Sequence, residues 1–192
     1  NIEHVDLGGG FGVNYDKDSD DLDLNELGLL IKSTYYDASY KISFEPGRFL
    51  VAKSGILISR ILTTKENGGI NFLITDAGMH TLIRPAMYGA IHRIQPLKNL
   101  NKEKITYTIA GPICESSDIL VKNINLPKQE IDNYIAILDV GAYGAVMASN
   151  YNSRGMPKEF LIFNDQYSLI RNQESITETI KRDLIPNWLK TN

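Results

Sequence analysis

The sequence predicts an α/β segment followed by an all-β domain, with the boundary near residues 50–55. Three observations predict it. The first fifty residues run strand, loop, helix, strand, the order of an α/β unit. After Gly55, short runs rich in β-branched and aromatic residues recur at close spacing, as in an antiparallel barrel or sandwich. Between two of those runs, Asn67-Gly68-Gly69 is a hairpin turn signal.

Each element has its own signature. Residues 2–7 predict a short buried strand that ends in Gly8-Gly9-Gly10-Phe11-Gly12. The acidic stretch Asp16 to Asp23 reads as a solvated loop that caps a helix; it lacks the glycine and terminal glutamate of an EF-hand. Leu22, Leu24, Leu27, Leu29, Leu30 and Ile31 give a helical apolar face through about Tyr36. Lys41 to Glu45 predicts a strand stopped by Pro46-Gly47. The β-rich runs are Ile56 to Thr63, Ile70 to Thr75, Gly89 to Gln95, Ile105 to Ala110, Tyr134 to Leu138, Glu159 to Phe163 and Tyr167 to Arg171. Gly144 to Asn150 predicts a short helix, and Ser175 to Arg182 another, with Ser175 and Glu178 at capping-box spacing.

Composition bounds the function. The chain has 192 residues, 43% of them hydrophobic and 22% charged, enough for a buried core. It cannot hold a complete (β/α)8 barrel, which needs roughly 250 residues, together with a second domain. It begins at Asn1 and runs straight into a glycine cluster, which reads as entry partway through a fold and predicts a fragment or processed chain. The net charge of −3, with Lys and Arg scattered, argues against nucleic acid as a partner. No apolar run approaches the roughly 20 residues of a membrane helix. The single cysteine, Cys114, cannot form an internal disulfide, which fits a reducing compartment, and the expected location is the cytoplasm.

Several segments could carry chemistry, and each has a plainer alternative. Gly8-Gly9-Gly10 after a strand lets backbone amides approach an anion, though a tight turn explains it equally well. Glu45-Pro46-Gly47-Arg48 also sits at a strand end, where α/β ligand sites lie; a turn with a surface ion pair is the alternative. In Arg84-Pro85-Ala86-Met87-Tyr88, Arg84 and Tyr88 stand where both could donate to one carboxylate, or be an exposed Arg and a packed Tyr. Gly111-Pro112-Ile113-Cys114-Glu115-Ser116-Ser117-Asp118 is the most specific: a cysteine beside acids in a Gly-Pro loop is not core composition. Gly141-Ala142-Tyr143-Gly144 flanks a phenol with small residues that let a ligand dock, or simply starts a helix. His4, His80 and His92 read as local structural histidines, and no metal-ligand spacing is present.

In this order the segments resemble the C-terminal half of the diaminopimelate decarboxylase family, pyridoxal-phosphate decarboxylases of the alanine-racemase-like fold. Asp76-Ala77-Gly78-Met79 and Tyr151-Asn152-Ser153-Arg154 also fit, so the resemblance runs from residue 2 to about 165. It implies that residues 1–54 are the terminal part of a cofactor-binding (β/α)8 barrel and that 55–192 are a C-terminal β-domain with short helices. It implies pyridoxal 5'-phosphate as cofactor, with Gly8, Gly9, Gly10 and the backbone of Pro46 and Gly47 at its phosphate and Glu45 at its pyridine nitrogen. Arg48, Arg84 and Tyr88 would hold a substrate carboxylate, with Arg48 also lining the cofactor site. Glu115 would meet the distal ammonium, and Tyr143 would touch cofactor and substrate. Cys114 would return a proton to the α-carbon. The substrate implied is meso-diaminopimelate and the product L-lysine, with Cys114 and Glu115 serving the neighbouring subunit of a homodimer.

The lysine that anchors the cofactor lies earlier in that family, in a region the sequence does not include. Lys53 follows Glu-Pro-Gly-Arg at the wrong place for it. The missing N-terminal half is therefore an expected partner, and the chain alone is expected to be inactive. The rivals are decarboxylases of the same fold acting on ornithine, arginine or carboxynorspermidine, and a non-catalytic binding homologue. Two arginines and a tyrosine for carboxylate, with a glutamate for ammonium, match an amino-acid tail better than an amine tail.

Overall fold

The computed structural model describes residues 2–15, 22–37, 39–98 and 101–189. Most of the acidic Asp16–Asp23 segment lies outside the described residues, but its last member acts as expected. The Asp23 carboxylate accepts the amides of Asn25 and Glu26 at 2.8 and 3.2 Å and caps helix α1 (Leu24–Thr34). Strands β1 (His4–Asp6) and β2 (Lys41–Ser43) flank that helix and pair in parallel, which completes a βαβ unit. β1 is not buried as expected: His4 and Asp6 are exposed and only Val5 is half-covered. The apolar face of α1 is likewise only partly covered within this chain: Leu27 and Ile31 are half-buried, and Leu29 is 70% exposed.

Helix α2 (Gly47–Val51) and a 3₁₀ turn, Ala52–Ser54, lead into the β-domain. Its sheet contains β3 (Leu57–Asn67), β4 (Ile70–Thr75), β5 (Ile94–Pro96), β6 (Lys104–Ala110), β7 (Ile119–Pro127) and β8 (Tyr134–Ile137), in the spatial order β5-β8-β3-β4-β6-β7. The edge strands β5 and β7 approach each other, so the sheet nearly closes. Gly68 and Gly69 take φ of 59° and 77° in the two-residue turn between β3 and β4, a conformation only glycine adopts cheaply.

The sheet corrects the antiparallel expectation. β4 and β6 run parallel, because residues 76–103 form a crossover carrying helix α3 (Arg84–Tyr88) and β5 rather than a hairpin. β7 has no counterpart among the expected strands. Lys122, Asn123 and Asn125 dilute its apolar alternation, and Asn123 takes φ of 57° where three residues of β7 span two of β6. The expected strand from Gly89 shortens to Ile94–Pro96, since Gly89 is the left-handed cap of α3. The expected helix over 144–150 is a single 3₁₀ turn, Ala145–Met147.

Inside the nearly closed sheet, Ile61, Leu73, Leu82, Tyr107, Ile109, Leu120, Leu126, Ile135 and Ile137 form one core. Strands β9 (Glu159–Phe163) and β10 (Gln166–Arg171) make a separate two-stranded ribbon. Helix α4 (Ile176–Thr179) follows, with the Ser175–Glu178 capping box formed.

Candidate active site

The site begins where β1 and β2 end. The Asp6 carboxylate accepts the Ser43 hydroxyl and the Gly8 amide, the latter at 2.6 Å, and the Ser43 hydroxyl also meets His4 Nε2 at 2.9 Å. These bonds, that of Ser43 above all, hold the Asp6 carboxyl below its usual range. The Glu45 amide donates to the Gly8 carbonyl at 2.8 Å, so the glycine run and the Glu-Pro-Gly-Arg loop lie side by side. Phe11 packs edge-on against Phe44 at 5.5 Å and against Phe49 of α2 at 6.0 Å. A Cβ on Gly9 would stand 2.7 Å from the Glu45 carbonyl oxygen, while nothing lies within 4 Å of one on Gly8 or Gly10, whose φ are +74° and +85°. The turn is packed on one side and open on the other, with left-handed glycines alternating around Gly9. That is the shape of a backbone anion nest. Since Asp6 takes the Gly8 amide, the amides left to an anion are those of Gly9 and Gly10.

The segment before Tyr143 docks on the C-terminal end of α2 and the turn that follows it. The amides of Val140 and Gly141 donate to Gly55 and Ala52 carbonyls at 3.0 and 2.9 Å. A Cβ on Gly141 would lie 1.9 Å from the Val51 carbonyl oxygen, so only glycine fits there. Tyr143, at φ 59°, stands half-exposed just beyond this contact. Gly8–Gly10 thus lie against Glu45 at the start of the loop into α2, and the segment bearing Tyr143 lies against the residues that follow α2. The turn is anchored from the other side by Asp139, buried and paired with Arg93 through two guanidinium nitrogens at 2.9 and 3.0 Å.

A second group carries the remaining candidates. Arg84 is 6% exposed and donates from Nη1 to the Tyr15 hydroxyl and to His92 Nε2, both at 3.1 Å. Tyr88, one turn along α3, is exposed. Cys114 and Glu115 project into solvent from a tight loop. Asp118 organises that loop: its buried carboxylate accepts the Met79 amide at 2.6 Å and the Ile113 amide at 2.8 Å, with Gly78 and Gly111 packed against it. The loop bearing Cys114 and the crossover bearing Arg84 are therefore braced at one point. Among the described residues, no hydrogen bond joins Cys114 or Glu115 to Gly8–Gly10, Glu45 or Tyr143.

Sequence reasoning gave Tyr15, Asp118 and Asp139 no role and treated His92 as local structure. Asp118 closes the Gly111–Asp118 motif, and Asp139 lies two residues before the Gly141 segment. Tyr15 carries no signal, since its partner is distant in sequence.

Burial lowers the pKa of both His80 and His92 below the ordinary 6.5, helped by Arg154 and Arg84 respectively. Both are neutral when folded and bind protons more readily when unfolded. Their contribution is intact above pH 6.5 and lost as pH falls below it. A melting series on the protein should show Tm falling by a few degrees from about pH 6.5 downward, and His80→Gln should flatten part of that slope.

With this geometry in place, comparison with known proteins is decisive. Residues 15–141 match the family model described as pyridoxal-dependent decarboxylase, C-terminal sheet domain. The chain belongs to that family. Diaminopimelate decarboxylase of Haemophilus influenzae is 42% identical over 178 residues, covering 92% of this chain and 43% of that protein. The Archaeoglobus fulgidus enzyme of the same name is 37% identical over 194 residues, covering 98% and 46%. The crystal structure of M. jannaschii diaminopimelate decarboxylase in complex with L-lysine superposes with a TM-score of 0.91 at 40% identity, covering 98% of this chain and 44% of that one. The chain thus spans about half the length of the curated relatives it matches. The matched residues include the Glu45 loop, while the glycine turn at Gly8–Gly10 precedes them and lies alongside that loop through the Glu45 amide.

Proposed function

We propose that this chain is the C-terminal portion of a pyridoxal-phosphate enzyme that decarboxylates meso-diaminopimelate to L-lysine and CO2. In this reading, residues 1–54 finish a (β/α)8 barrel, residues 55–192 form the β-domain, and an N-terminal barrel segment supplies the lysine that anchors the cofactor. The observation that carries the substrate assignment is the environment of Arg84. A buried guanidinium normally pairs with a carboxylate. Among the described residues, both hydrogen-bond acceptors of Arg84 are neutral, Tyr15 and His92. A permanent charge held this way favours a carboxylate brought by a ligand.

The roles are those the family resemblance implies, and the geometry supports them. Amides of Gly9 and Gly10, with the backbone at Pro46 and Gly47, would hold the cofactor phosphate, and Glu45 would keep its ring nitrogen protonated. Bound pyridoxal phosphate supplies the electron sink for the charge left when CO2 departs. Tyr143 stands beside α2, where it can line both cofactor and substrate. Arg84, with Arg48 and Tyr88, receives the distal carboxylate, and Glu115 receives the distal ammonium. Cys114 holds on Sγ the proton returned to the α-carbon. Cys114 and Glu115 sit on an exposed loop, apart from the cofactor group. That arrangement supports a homodimer in which each loop completes the partner's site.

Gly9→Ala tests the cofactor assignment. Its methyl group would press on the Glu45 carbonyl and push the turn out of shape, so pyridoxal phosphate affinity of the full-length enzyme, followed by absorbance titration, should fall about tenfold or more. An unchanged titration would remove the phosphate from this turn. The function itself is tested by supplying the chain with its barrel segment and cofactor and measuring L-lysine formed from meso-diaminopimelate.

A further inference from the structure

Arg84 is held in a way that its role as a carboxylate ligand does not require. Nη1 of a guanidinium carries two N–H groups, and here both have acceptors at 3.1 Å, the Tyr15 hydroxyl and His92 Nε2. A guanidinium has no acceptor, so the His92 Nε2 atom must offer a lone pair. The proton then sits on Nδ1, which lies 3.0 Å from the Leu138 carbonyl, a group that can only accept. Both bonds therefore select one neutral tautomer. The ring is buried, and Tyr15 packs against it edge-on at 5.2 Å while lying 5.1 Å from the Arg84 Cζ. Leu138 immediately precedes Asp139, whose turn carries Tyr143.

We infer that His92 and Tyr15 are positioning residues that fix the plane of the Arg84 guanidinium and turn its Nε–Nη2 edge to the carboxylate of the substrate's unreacted end. A planar guanidinium with both Nη1 protons committed has one edge left for two parallel hydrogen bonds, the arrangement that matches a carboxylate. The neutrality of both acceptors is part of the device. An Asp or Glu at position 92 would orient Arg84 equally well but would neutralise it before a ligand arrived. The relay also ties Arg84 to the turn that carries Tyr143, so the two substrate-facing groups keep a common frame. The inference rests on the reading above that Arg84 meets that carboxylate.

The test uses the full-length holoenzyme and two probes, L-lysine and cadaverine, which differ only by that carboxylate. Equilibrium titration should show wild type favouring L-lysine. His92→Leu, which cannot accept from Arg84, should weaken L-lysine by about tenfold or more and leave cadaverine within about twofold. The same variant should raise KM for diaminopimelate more than it lowers kcat. His92→Gln, whose Oε1 can accept from Arg84, should recover most of the loss. Tyr15→Phe keeps the ring and removes one acceptor, so it should weaken L-lysine by about threefold, again selectively, and it decides the matter if His92→Leu does not fold.

Equal losses for both probes, or none, in His92→Leu and Tyr15→Phe would overturn the inference. Arg84→Ala separates the layers. If it too leaves the preference for L-lysine intact, the carboxylate role of Arg84 fails and the inference falls with it. If Arg84→Ala abolishes the preference while the other variants retain it, the positioning role alone is wrong.

Discussion

Gly141→Ala should unfold the junction between the two parts of the chain. Its methyl group would stand 1.9 Å from the Val51 carbonyl oxygen and 2.9 Å from the Gly55 amide nitrogen. These obstacles are backbone, so no rotamer change relieves them. Overpacking of flexible surroundings costs about 1–3 kcal/mol, and a rigid contact this short should exceed about 3 kcal/mol. In a full-length protein of about twice this chain's length that corresponds to a Tm loss of about 3 °C or more. Cofactor retention should fall with it, because the contact aligns the Tyr143 turn with α2 and hence with Arg48. Gly28→Ala is the matched control. Gly28 lies inside α1 with nothing within 4 Å of its Cβ position, and alanine there should be neutral or stabilise by up to about 1 kcal/mol. Thermal melts of the two variants side by side check this, and similar behaviour would mean that the segments are not packed as described.

Cys114→Ser should leave substrate binding nearly intact and remove most of the turnover. If Cys114 Sγ returns the proton to the α-carbon, a hydroxyl in its place is a far weaker acid, and kcat should fall by about 10² to 10⁴. KM for diaminopimelate should stay within about threefold, since Arg84 and Glu115 are untouched. The exposed loop gives this variant a second use. Subunits carrying Cys114→Ser, mixed with subunits carrying Glu45→Ala, should form hybrid dimers with one intact site each if the loop serves the partner. Random mixing would then restore about a quarter of wild-type activity. No recovery would place Cys114 in its own subunit's site.

How much of this was legible in the sequence depends on how local each determinant is. β3 and β4 were visible because branched residues flank a two-glycine turn, and α4 because its capping box spans four consecutive residues. β7 was hidden by Lys122 and Asn123, which occupy a bulge that interrupts the alternation. The parallel pairing of β4 with β6 was hidden because direction follows from a long crossover, not from either strand's own residues. The exposed faces of β1 and α1 show the complementary limit. Their patterns correctly predict a strand and a helix, but what covers them is not set by those patterns. The site divides in the same way. Gly9, Glu45, Arg84 and Cys114 stand in motifs that the sequence singles out with plainer alternatives beside them, whereas the Tyr15–Arg84 contact joins positions 69 residues apart and leaves no local trace.

The proposed reaction is open to a direct assay. The chain, joined to the N-terminal barrel segment proposed for it and loaded with pyridoxal phosphate, is given meso-diaminopimelate and, separately, L-ornithine and L-arginine. L-lysine should form together with an equal amount of CO2, with kcat/KM for diaminopimelate at least about a hundredfold above either alternative. Absence of L-lysine from a cofactor-loaded protein, or preference for ornithine or arginine, would contradict the assignment.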